Sequence, residues 1–163
     1  PVVIGADDEP RVEILDLRDD LQRHEERGEK TWIRARKTAL TTEQSATLTA
    51  FAQGQAGKPF AARRMLRQMT PFRTRGPLRT FAMGAPNGER DRYFCAELVM
   101  EAFVATGLLA AETTRPSATY PRDIFFDQST NLFLNRYFTL AEGWHPPARW
   151  FGQPVVDAGV EKK

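Results

Sequence analysis

Cys95 is the only cysteine in the chain, and it stands in Tyr93-Phe94-Cys95-Ala96-Glu97-Leu98-Val99, where a segment without helical spacing passes into one that has it. Leu98, Val99, Ala102, Phe103 and Ala105 recur at the spacing of one helix face, and Gly107 supplies a left-handed stop. The pattern predicts a helix of about three turns with the cysteine in its first turn. Free backbone N–H groups and the positive end of the helix dipole there favour thiolate over thiol, so the chemistry on offer is attack on a carbonyl carbon to give an acyl-enzyme. The plainer reading stands beside it: a cysteine next to Phe94 and Leu98 also fits as a small apolar core residue.

A thiol nucleophile needs a base, nearly always a histidine held by a third polar group. The chain has two, His24 and His145. His24 lies in the polar run Arg23-His24-Glu25-Glu26-Arg27 and reads as a solvated surface residue; a second histidine four residues on, which a zinc-binding helix needs, is missing. His145 belongs to the rigid turn Gly143-Trp144-His145-Pro146-Pro147. Neither is assigned as the base. Tyr93, two residues before the cysteine, either orients a substrate or polarises its carbonyl, or packs as an aromatic at a strand end. Glu97 suits the helix dipole and reads as structural, and the Cys95 backbone N–H is available as an oxyanion donor.

Phe94-Cys95-Ala96-Glu97-Leu98-Val99 resembles the aromatic-Cys-Ser-Glu-Leu-Val run of the circularly permuted papain-like hydrolases related to the NlpC-type cell-wall peptidases, particularly the YiiX/YaeF-like branch, with Ala96 in place of the serine. Gly57-Lys58-Pro59-Phe60 is similar to the Gly-Lys-Pro-Tyr turn that precedes the nucleophile there, and Trp32-Ile33-Arg34-Ala35-Arg36 to an edge strand. The resemblance covers roughly residues 11 to 125 at the level of pattern. It implies an α+β fold of the permuted papain-like type, an antiparallel sheet packed against helices with the cysteine at a helix N-terminus. The implied activity is that of a thiol hydrolase or acyltransferase acting on an amide, ester or thioester of a peptide, lipid or other acyl compound, with no cofactor and no metal. It also implies a carboxylate on an early strand as third catalytic member, for which Glu13 is the nominal candidate, although alternation with Val12 and Ile14 turns Glu13 toward solvent. The family's upstream Ser-His-Val-Gly-like run has no counterpart, and Val2-Val3-Ile4-Gly5 reads like the strand that follows it. The expectation is a segment ahead of Pro1 that carries the histidine.

The elements that must position Cys95 follow from the rest of the chain. Its 163 residues, 41% apolar and 27% charged, fit one domain over residues 1–163 with a buried core and argue against disorder. No apolar run reaches the length of a membrane span, and a single cysteine leaves compartment and oligomeric state open. Pro1 to Ile4 and Val12 to Leu17 read as a hairpin, Leu21 to His24 as a short polar helix or loop ending near Gly28, and Trp32 to Arg36 as a strand. Thr41 and Gln44 form a capping-box pattern opening a helix through Leu48, Phe51 and Ala52, and a further helix is expected from Phe60 to Met69. Residues 70 to 91 read as a long loop walling a substrate cleft, Asp123 as a cap for Ile124 to Phe126, and the aromatic tail, Leu132 to Leu140 and then Trp144 to Phe151, as packing back on the sheet.

Charge supplies the competing reading. From Phe51 to Gly88 the chain has no acidic residue but carries Lys58, Arg63, Arg64, Arg67, Arg73, Arg75 and Arg79, with Phe60, Phe72 and Phe81 among them. Such a stretch can grip phosphates and stack bases of a nucleic acid or meet an anionic lipid, or simply form a solvated face, and no nucleic-acid motif accompanies it. A third reading keeps the fold without the chemistry, as a binder of peptide, glycan or lipid.

Overall fold

The computed structural model describes residues 2–3, 10–62, 88–112, 114–126 and 143–151. The chain is mixed α+β, and its strands are short. Val2–Val3 (β1) pairs antiparallel with Arg11–Val12 (β2), in the register Val2 to Val12 and Val3 to Arg11, which is the expected hairpin. Arg11 bridges on to Pro59, and Phe60 bridges in parallel to Tyr93. The ladder is held by Val12 N–H to Lys58 O (2.9 Å), Phe60 N–H to Pro10 O (2.6 Å) and Ala61 N–H to Tyr93 O (2.7 Å). The turn at Gly57, whose φ of 80° suits glycine, therefore feeds the strand segment that docks against the residues just before the cysteine.

Two elements differ from expectation. The second strand ends at Val12, so Ile14, Leu15 and Leu17 do not extend the hairpin: residues 13–16 form no strand, and Asp16 takes two backbone N–H groups, Arg18 (2.8 Å) and Asp19 (3.2 Å), to cap a ten-residue helix Leu17–Glu26 (α1). An aspartate at the N-cap satisfies donors that a strand would have left to a neighbouring chain, and Leu21 is the residue this helix buries. Phe60, expected on a helix, is extended and buried in the ladder; residues 63–87, with the rest of that helix, most of the basic stretch and most of the long loop, lie outside the described residues.

Thr41 caps Thr42–Gln55 (α2) as its spacing predicts: its hydroxyl accepts from Gln44 N–H, and the Gln44 carboxamide accepts from Thr41 N–H, each at 3.1 Å. Gln44 also donates to Thr106 O (3.4 Å), tying the start of α2 to the end of Cys95–Ala105 (α3). Gly107, with φ 68°, ends α3 in the left-handed conformation expected of it.

Beyond α3 the chain makes a 3-10 turn at Pro116–Ala118 and a short helix, Pro121–Phe126 (α4). Asp123 does cap here, but from within the first turn, where its carboxylate accepts Tyr120 N–H at 3.0 Å. A second two-stranded antiparallel sheet joins Trp32–Ile33 (β3) to Ala148–Arg149 (β4), with a further bridge between Arg36 and Trp144. The 144–149 part of the aromatic tail thus returns onto the 32–36 strand, while Leu132 to Leu140 lie outside the described residues. One apolar cluster, Phe60, Ala61, Phe94, Ala96 and Tyr120, locks the ladder to the start of α3; a second centres on Met100 with Phe103, Leu109, Ile124 and Trp144. Among the described residues no helix is long and apolar enough to cross a membrane.

Candidate active site

Cys95 is the first residue of α3, and the extended Phe94 precedes it as N-cap (φ −106°, ψ 162°). Phenylalanine cannot accept a hydrogen bond, so the capping is done from the other side: Glu97, three residues on, accepts Phe94 N–H at 3.4 Å. Glu97 is wholly buried, and a carboxylate there needs partners. It takes a hydrogen bond from Ser117 Oγ (2.6 Å) and pairs with Arg90 Nε (3.3 Å), which also reaches Glu101 Oε1 (3.1 Å); Glu101 in turn accepts Gly88 N–H at 3.2 Å. Segments on both sides of α3 in the chain are thereby fixed to its first two turns.

The thiol opens onto a cleft of about 760 Å³. Cys95, Ala96, Val99 and Phe103 of α3 form one wall; Trp32, Arg34 and Trp144 of the second sheet, with Pro121, Ile124 and Phe125 of α4, form the rest. Trp144 packs on Phe103 with ring centroids 5.5 Å apart. Arg34 straps the walls together, donating from Nε to His145 O (3.1 Å) and from Nη1 to the carbonyls of Ile124 and Phe125 (3.2 Å each). Its charge meets the open carbonyls at the end of α4.

Burial raises the Cys95 thiol above its ordinary range; hydrogen bonds with the backbone of Ala96 and of Cys95 itself act the other way and are smaller. The helix start therefore lowers the pKa as expected, but desolvation outweighs it, and the resting group at neutral pH is a thiol. A base must remove its proton.

The structure brings Cys95 into this cleft but not the other sequence candidates. Glu13 is exposed and outside the lining residues. Tyr93 is buried in the ladder, 1% exposed, its hydroxyl raised chiefly by burial against a hydrogen bond from the Arg90 backbone, with Lys58 Nζ 5.6 Å from its ring centre. It is the packed aromatic at a strand end. His24 sits on α1 between Glu29, which contacts Nδ1, and Asp20 (3.7 Å from Nε2). His145 is exposed beside the cleft-lining Trp144, with its backbone N–H on Ala35 O (2.9 Å). Of the basic stretch, Lys58 is described and is engaged by Gln55 (2.8 Å) and Glu89 (3.4 Å).

Arg90, Glu101, Ser117 and the Trp32–Trp144 pair went unread in the sequence. One signal for the first two was present: Glu97 and Glu101, four apart, share a face of an otherwise apolar helix, which calls for a buried cation. No family model matches the chain, and neither a curated protein nor a solved structure matches it.

Proposed function

We propose that the protein is a thiol-dependent hydrolase or acyltransferase of the permuted papain-like type, with Cys95 as nucleophile. The observation that carries this reading is the position of Cys95: first residue of α3, half-buried, its side chain in the wall of a cleft large enough for a small organic ligand. The ladder running from β1 through Arg11 and Phe60 to Tyr93 and the capping of α3 by Glu97 support the fold assignment.

In the reaction a base takes the thiol proton, Sγ attacks the carbonyl carbon of an amide, ester or thioester, and an S–C bond forms as the C–N, C–O or C–S bond breaks. The base returns its proton to the leaving amine, alkoxide or thiolate. Water or another acceptor then cleaves the thioester and restores the thiol. Backbone N–H groups at the start of α3 are the available oxyanion donors. Among the described lining residues no histidine or carboxylate is placed to act as the base.

The raised thiol favours one alternative, a non-catalytic member of the fold that binds its ligand in the same cleft. The test is turnover of activated esters and thioesters by protein purified from its natural source, alongside Cys95→Ala. Loss of turnover and of the acyl adduct in the variant supports the enzyme; turnover unchanged by the substitution overturns it, and an intact source protein that is inert leaves the binder.

A further inference from the structure

We infer that the cleft beside Cys95 binds a hydrocarbon chain of an acyl compound, so that the group delivered to the thiol is a fatty acyl group rather than a peptide; this substrate class rests on the thiol chemistry proposed above.

The inference comes from the lining. Trp32, Val99, Phe103, Pro121, Ile124, Phe125 and Trp144 enclose the space with aromatic and branched apolar side chains, and the described lining contains no carboxylate, carboxamide or hydroxyl side chain. A peptide laid there would carry an N–H and a C=O for every residue into a place without side-chain partners for them, and an unpaired buried polar group opposes binding. A methylene chain has no such groups, and every one buried adds to affinity. Arg34 is the one charged side chain among the described lining residues, and its Nε and Nη1 already serve the carbonyls of His145, Ile124 and Phe125. One guanidinium in the wall disfavours a cationic ligand relative to a neutral or anionic one. The mouth agrees: Trp32 is 54% exposed on the lining, and Arg149, its partner across the strands, is exposed on the same sheet face. An exposed indole beside a cation suits an amphiphile whose chain enters and whose anionic end stays in water.

Binding is read without turnover, on the full chain, from the rate at which iodoacetamide alkylates Cys95. Sodium decanoate below its micelle concentration, acetate, and a neutral apolar tripeptide amide are the probes. At about ten times its Kd, decanoate should slow alkylation about tenfold, in proportion to the unliganded fraction, and shift the indole emission. Acetate should do neither, and the tripeptide should protect more weakly than decanoate. Val99→Glu, at an exposed helix position that tolerates a charge for folding, should abolish the protection. Alkylation unaffected by decanoate, or stronger protection by the tripeptide, overturns the inference even if short esters are hydrolysed. Protection by decanoate without turnover of decanoyl esters upholds the chain site while removing the enzymatic reading.

Discussion

Ser117 Oγ donates to Glu97 Oε1 at 2.6 Å, which binds the 3-10 turn after the cysteine helix to that helix's first turn. Glu97 is buried and Ser117 partly so, and Arg90 Nε lies 3.3 Å from the same Oε1. Glu97→Gln removes the buried charge but leaves Arg90 paired with Glu101, and Ser117→Ala leaves Glu97 paired with Arg90, so each should cost about 1 to 3 kcal/mol of unfolding free energy. Urea denaturation checks both; a Glu97→Gln protein as stable as the parent would show the network to be dispensable.

Glu101 carries the opposite sign of pH dependence from an ordinary paired carboxylate. Burial, the largest cause, raises its carboxyl, against the Gly88 N–H and Arg90, which lower it. Above the usual carboxylate value of about 4.3 the folded chain then holds a proton that the unfolded chain has released, so this contribution to stability is present at low pH and falls as pH rises through the raised value. Glu101→Gln should flatten that fall. Parallel urea titrations at a series of pH values read the difference, and equal slopes for the two proteins would count against it.

Cys95 should be a sluggish thiol in the absence of substrate. With burial the first cause of its raised pKa, its alkylation rate should climb only above the ordinary cysteine range of about 8.5. Full reactivity of the described site at neutral pH would mean that a base or cation already faces the sulfur.

Gly107 should tolerate no side chain without strain. Its φ is 68°, and a Cβ built there would meet nothing within 4 Å, so Gly107→Ala should cost about 1 kcal/mol through backbone conformation alone. Asparagine should cost less. Thermal unfolding of the two variants separates strain from crowding.

What the sequence disclosed and what it withheld divide along physical lines. Thr41–Gln44, Gly107 and the apolar repeat after Cys95 act within one turn of chain, where local hydrogen bonding and backbone preference decide the outcome, and all three were legible. Leu17 was misjudged because Val12, Ile14, Leu15 and Leu17 read as strand while the deciding interaction, Asp16 accepting from Arg18 and Asp19, lay in one capping side chain. Phe60 differs because its extended conformation depends on pairing with segments distant in sequence, Pro10 on one side and Tyr93 on the other. The cleft itself was illegible. Its walls come from the 32–36 strand, α3, α4 and the 143–149 segment, and nothing in the spacing of Trp32 and Trp144 announces that they line one space. The favourable thiolate expected at the helix start failed for a related reason: burial is a property of the assembled walls.

Arg34 reaches across 111 positions of sequence to the carbonyl of His145, and this strap sets an order of events during synthesis. The ladder, α2 and α3 can be made from chain already released from the ribosome, whereas the cleft wall is incomplete until the segment carrying Trp144 emerges. Contacts of such separation form slowly, because the intervening loop must first be closed. Until that segment docks, Phe103 lacks its Trp144 partner and adds to the apolar surface that Val99 already shows, so the interval before docking is the one in which the chain most needs protection from aggregation.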